Sequence, residues 1–169
     1  TSKTSTNCKL MNDPRTQLKD LIHVEKGIIP ANICDHIIQD IETRPWKPHT
    51  WYNAVQNSYG SEETMELDVQ PITSELQQLL TPIMIQAGSA YNQKYAYLRC
   101  ERTQQIMDKF STIRFNRYGS GQIMRQHMDH IHSLFDGNQK GIPVLSFILN
   151  LNDDYEGADL FFWENHVVP

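Results

Sequence analysis

The apolar residues of this chain change their period part-way along, from helical spacing in the first half to strand spacing in the second, and that change limits the fold more than any other feature. In Pro30 to Arg44, Ile33, Ile37, Ile38 and Ile41 recur at helical spacing and Pro45 closes the segment, which predicts an amphipathic helix. A second helix is expected to start near Ser74, which makes a capping box with Gln77. It gathers Leu76, Leu79, Leu80, Ile83 and Met84 on one side, with a kink at Pro82. Between the two, Trp46 to Ser61 reads as a loop or hairpin.

Beyond Phe110 the period becomes two. Ile113 and Phe115 alternate with Thr112, Arg114 and Asn116, Gly119-Ser120-Gly121 makes a tight turn, and Gln122 to Asp129 resumes an extended run. Val144 to Leu151 (VLSFILNL) is almost continuously apolar, the pattern of a strand buried on both faces. Asp153 to Gly157 then turns into a further strand, Asp159 to Trp163. Helices leading into short strands predict an α+β fold with a mainly β core, in which a barrel or sandwich carries the site.

A length of 169 residues fits one domain spanning 1–169, with a polar, loose N-terminal arm over 1–25. The composition is 39% hydrophobic and 21% charged, enough apolar residues for a core, which excludes a disordered or fibrous chain. The net charge of −5 and the lack of any Lys/Arg run exclude general binding to nucleic acid or to an anionic membrane surface. No apolar stretch approaches the roughly 20 residues a membrane helix needs, and the first residues have no signal-peptide core, so a soluble, cytoplasmic protein is the expectation. Cys8, Cys34 and Cys100 form no CxxC and read as idle or buried thiols.

The densest group of ligand-type side chains is His127-Met128-Asp129-His130-Ile131-His132. On a strand, His127 and Asp129 point the same way and reach one ion. One imidazole and one carboxylate at adjacent coordination positions suit the two-His-one-carboxylate arrangement that holds Fe(II) and leaves positions open for cosubstrate and oxygen. His-x-Asp alone carries little weight, because chance supplies roughly half such a pair in a chain with seven His and eleven Asp. A strand ion pair is the competing reading of His127 and Asp129. A binuclear zinc hydrolase would need a His-x-His ahead of the Asp, and only one His precedes it.

The setting adds specificity. Phe115 to His132 (FNRYGSGQIMRQHMDHIH) and Val144 to Phe162 (VLSFILNLNDDYEGADLFF) resemble the prolyl 4-hydroxylase branch of the Fe(II)/2-oxoglutarate-dependent dioxygenases. The segment IIPANICDHIIQDIETRPW is similar to the first helix and following Trp of that branch, so the resemblance spans most of residues 28 to 169. It implies a double-stranded β-helix of the jelly-roll or cupin type flanked by N-terminal helices. It implies an oxidoreductase that uses Fe(II), molecular oxygen and 2-oxoglutarate, with ascorbate as an accessory cofactor. The implied reaction hydroxylates prolyl residues of a peptide or protein and releases succinate and CO2. By the same match His127 and Asp129 are iron ligands, and Tyr118 binds a 2-oxoglutarate carboxylate.

The chain departs from that pattern at its end. The branch places a second His and a downstream Arg or Lys on strands that follow the segment ending Val167-Val168-Pro169, so the expectation is a truncated domain lacking its C-terminal strands. His166 precedes the position of the branch's second His and is a weaker candidate for the third ligand, with a surface-loop His as the alternative. A Gly-Gly of the branch is Gly157-Ala158 here, a mild change unless the second residue needs positive φ. His130 and His132 are expected to line the pocket or its rim; Trp46, Trp51 and Trp163 read as core aromatics, with the lining of a peptide groove as the alternative, and carry no assigned role. Glu62, Glu63 and Glu66 read as a solvated face, and without the resemblance Tyr118 is a half-buried strand tyrosine. Two other functions fit the scaffold: a non-catalytic binding module that has lost iron, and a dioxygenase acting on a free amino acid or other small molecule.

Overall fold

The computed structural model describes residues 18–53, 58–60, 66–95, 110–127, 145–162 and 166–168. Among these the fold is α+β. Helix α1 is Ala31–Glu42 and helix α2 is Ser74–Lys94. The strands are β1 Lys47–Pro48, β2 Trp51–Asn53, β3 Ser58–Gly60, β4 Asp68–Pro71, β5 Arg114–Arg117, β6 Leu160–Phe162 and β7 His166–Val168. They form an antiparallel sheet in the order β1-β4-β5 and two hairpins, β2-β3 and β6-β7. No helix among the described residues is long and apolar enough to cross a membrane.

Helix α1 begins at Pro30, whose fixed φ suits a helix start and whose carbonyl accepts from the amides of Ile33 and Cys34. It has no acidic residue in its first turn and no basic residue in its last, so little local electrostatics favours it. Packing supplies the stability instead. Ile37 and Ile41 bury against Leu76 and Leu80 of α2 and Phe115 of β5, with Trp46, Leu149 and Leu151 packed around them. The far end of α1 is closed from outside the helix: the buried Gln70 amide on β4 donates to the carbonyls of Ile41 (3.0 Å) and Arg44 (3.1 Å). The Ile41 carbonyl also accepts from the Arg44 amide at 3.3 Å, so the Gln70 side chain adds a second donor there and supplies one to the Arg44 carbonyl.

Helix α2 starts at Ser74, where the sequence places it, and only its cap differs. Thr73, not Ser74, is the N-cap, and its Oγ1 accepts from the amide of Leu76 at 3.3 Å. The helix continues through Pro82, whose missing N–H leaves the Gln78 carbonyl without its usual donor. Next to the proline, Thr81 donates its hydroxyl back to the Gln77 carbonyl at 2.6 Å. Of the segment expected to be a loose arm, residues 18–25 are tied to α2. A 3-10 turn spans Leu18–Leu21, and the hydroxyls of Tyr91 and Tyr95 donate to the carbonyls of Leu21 and Ile22.

In the sheet, Gln70 pairs with Phe115 and Asp68 with Arg117. Arg117 also ties the sheet to α1. Its guanidinium reaches Asp68 at 2.9 Å and Glu42 at 3.2 Å, and it lies over the Trp46 ring at 4.5 Å.

Two extended runs differ from expectation. Residues 145–151 have no strand pairing among the described residues, and their burial alternates instead of covering both faces. Leu149 and Leu151 pack on the core while Ile148 is 63% exposed. One covered face produces that alternation whatever the hydrophobicity of the other face. Residues 122–127 likewise carry no strand assignment.

Both Gly157 (φ 77°) and Ala158 (φ 55°) lie in the left-handed region. Ala158 therefore pays a steric cost that glycine would not. Ala158→Gly is expected to raise stability by about 1 kcal/mol, seen as a rise in Tm of roughly 2–4 °C in a thermal melt. An unchanged or lower Tm would show that the strain is absent.

Candidate functional site

The site is built on β5 and the turn that follows it. Phe115 points into the core, which turns its neighbours Arg114 and Asn116 to the other face of the strand. Tyr118 follows, and Gly119 to Gln122 closes the turn, with the Gln122 amide donating to the Gly119 carbonyl at 3.1 Å. Gly121 has φ 76°, the positive value a type II turn requires at its third residue. The Gln122 side-chain oxygen also accepts from the Gly119 amide. The return limb, 122–127, brings Met124 back beside Tyr118, and the phenol donates to the Met124 sulfur at 3.6 Å.

At the end of that limb His127 is exposed, and its Nδ1 is 2.7 Å from the Arg125 carbonyl. A carbonyl only accepts, so Nδ1 carries the hydrogen and the neutral ring holds its lone pair on Nε2. Metal-binding imidazoles are held in the same way, with one nitrogen donating to a carbonyl or carboxylate and the other ligating.

Beside this limb lies a buried carboxylate that the sequence reading assigned to a solvated face. Glu66, immediately before β4, is 3% exposed. Its Oε1 is 2.6 Å from Arg125 Nε and its Oε2 is 3.5 Å from Nδ1 of the buried His49. The expectation failed because Met65, Leu67 and Val69 alternate with Glu66, Asp68 and Gln70, so the polar set reads as the outward one. Glu66 and Gln70 are buried all the same, because each finds partners on distant segments. No short-range pattern announces His49 or Arg125 either.

The electrostatics follow from these positions. Burial pushes His49 below the ordinary histidine value, the nearby Arg114 guanidinium pushes it the same way, and Glu66 opposes them. Burial pushes the Tyr118 phenol up, and Glu66 adds to this while Arg114 opposes it. A raised phenol keeps its proton at neutral pH and so remains a hydrogen-bond donor.

Of the expected site residues, the fold brings Tyr118 and His127 onto the two limbs of one turn. Asp129, His130 and His132 lie outside the described residues, as do Glu62, Glu63 and Trp163. His166 is the first residue of β7, paired in register with Phe162. Trp46 packs on the core as expected. No group of three His, Cys, Asp or Glu capable of holding a metal occurs among the described residues.

No protein-family model, curated protein or solved structure matches this chain. The functional reading therefore rests on the sequence motifs and on the geometry of the turn.

Proposed function

We propose that this chain is an Fe(II)- and 2-oxoglutarate-dependent dioxygenase that hydroxylates prolyl residues of a peptide or protein substrate. The fold in this reading is a double-stranded β-helix, to which the β1-β4-β5 sheet would contribute. The observation that carries the reading is the orientation of the exposed His127: with Nδ1 at 2.7 Å from the Arg125 carbonyl, the hydrogen belongs on Nδ1 and the ring's lone pair on Nε2. An imidazole so held fits a ferrous ion. His127, through Nε2, and Asp129 would hold the iron. The choice of prolyl substrates rests on the resemblance of Phe115 to His132 and Val144 to Phe162 to the prolyl 4-hydroxylase branch.

Iron, when bound, supplies oxygen activation coupled to decarboxylation of 2-oxoglutarate to succinate and CO2, with a hydroxyl delivered to the substrate carbon. The chain binds and orients. Tyr118 keeps its proton and spends it on the Met124 sulfur, a weak acceptor. A carboxylate oxygen of 2-oxoglutarate is a far stronger acceptor, so the phenol gains by turning to it. Tyr118→Phe removes that donor alone. It is expected to raise the KM for 2-oxoglutarate roughly tenfold or more with little change in kcat, measured by succinate release at varied cosubstrate.

The direct test is anaerobic calorimetric titration of Fe(II), or of Mn(II) as a redox-stable substitute, with and without 2-oxoglutarate. The expected result is one-site binding that tightens when 2-oxoglutarate is present. Binding indifferent to 2-oxoglutarate, or no binding, would overturn the proposal.

A further inference from the structure

The functional reading above uses His127 but leaves unused the buried carboxylate beside it. Glu66 is 59 residues from Arg125 in sequence, yet its Oε1 meets the Arg125 Nε at 2.6 Å, while most of the Arg125 side chain lies in solvent. On its other side the carboxylate faces His49, whose Nδ1 lies 3.5 Å from Oε2 and whose amide donates to the Leu67 carbonyl at 2.9 Å. A buried carboxylate is costly unless its charge is matched, so the Arg125 guanidinium is a strong tether.

The limb from 122 to 127 belongs to no sheet ladder among the described residues; the turn bond from Gln122 to Gly119 ties its start, and the Tyr118 phenol meets the Met124 sulfur. The same Arg125 whose side chain is tethered offers its carbonyl to Nδ1 of His127 at 2.7 Å.

We propose that Glu66 is a positioning residue: by gripping Arg125 it fixes the limb against β4 and so holds the Arg125 carbonyl where it takes the Nδ1 hydrogen of His127, keeping the lone pair on Nε2. The brace itself is independent of any metal. Its consequence for metal affinity rests on the dioxygenase reading above.

Two variants separate the tether from the fold. Glu66→Gln keeps the side-chain shape and removes the charge. Arg125→Met acts at an exposed side chain, and combining it with Glu66→Gln removes both charges together, so that no buried charge is left unmatched. Nitrogen-15 spectra of the imidazole rings, recorded on the metal-free chain at about pH 8 where an ordinary histidine is neutral, report which nitrogen carries the hydrogen. The His127 signal, assigned by its loss in His127→Gln, is expected to show Nδ1–H in the wild type and a shift toward Nε2–H in Glu66→Gln, Arg125→Met and the double variant. Mn(II) affinity is expected to fall about 10–100-fold in the same variants, the range seen when the support of a metal-ligating His is removed.

A wild-type His127 that already carries its hydrogen on Nε2 would overturn the proposal. So would a tautomer unchanged in all three variants, provided circular dichroism shows them folded. A wild type with Nδ1–H that responds to the variants but binds no Mn(II) supports the brace and defeats the dioxygenase reading, so the two failures are distinguishable.

Discussion

His127→Ala and Asp129→Ala are each expected to reduce 2-oxoglutarate-dependent succinate formation to background, because each removes one of the groups that would hold the iron. The His127 side chain is exposed and outside the core cluster, so its removal should change the folding free energy by no more than about 0.5 kcal/mol. Activity and stability therefore separate: succinate assays should fall to the level without enzyme while the thermal melt of His127→Ala overlays the wild type. Turnover retained in both variants would remove the metal assignment altogether. A structural ion pair between His127 and Asp129 predicts the reverse pattern, with stability lost in either variant and cosubstrate turnover untouched.

Gln70→Leu is expected to cost about 1–3 kcal/mol of stability, measured as a lower denaturant midpoint with an unchanged m-value. The reasoning runs against simple hydrophobicity, since leucine is the more apolar side chain and Gln70 is only 2% exposed. The glutamine amide, however, donates to the Ile41 and Arg44 carbonyls at the end of α1, and leucine would leave the part-buried Arg44 carbonyl without that donor and the Ile41 carbonyl with the Arg44 amide alone. Helix α1 has no basic residue in its last turn to compensate. A stability equal to or above that of the wild type would mean that water reaches those carbonyls and that the cap contributes nothing.

These two sites show how far the sequence could be read. The isoleucine spacing of Pro30 to Arg44 forecast α1, and the cap-and-apolar pattern near Ser74 forecast the start of α2, because helical period and N-cap chemistry are local. The Gly119-Ser120-Gly121 turn was legible for the same reason: Gly121 needs a positive φ that glycine supplies. Of the candidate site, His127 and Tyr118 stood out by residue type and motif, and the turn between them was visible in its glycines. The consequence of Ala158 for the backbone was not, since only the folded chain fixes its φ at 55°.

What the sequence alone determined is thus the kind of chain: an α+β fold, a net negative charge, and a cluster of imidazole and carboxylate groups behind a glycine turn, although β1–β4 lie between α1 and α2 and not after both helices as the change of period implied. Which polar residues enter the interior was decided only by tertiary structure. Glu66 and Gln70 share the alternating pattern that normally marks an outward face, and both are buried, one against Arg125 and His49 and the other against the end of α1. The physical reason is that hydrophobic periodicity reports the local backbone and the average side a residue faces. Burying a charge or an amide depends on whether a partner arrives from elsewhere in the chain, and the sequence on either side of Glu66 and Gln70 carries no trace of that.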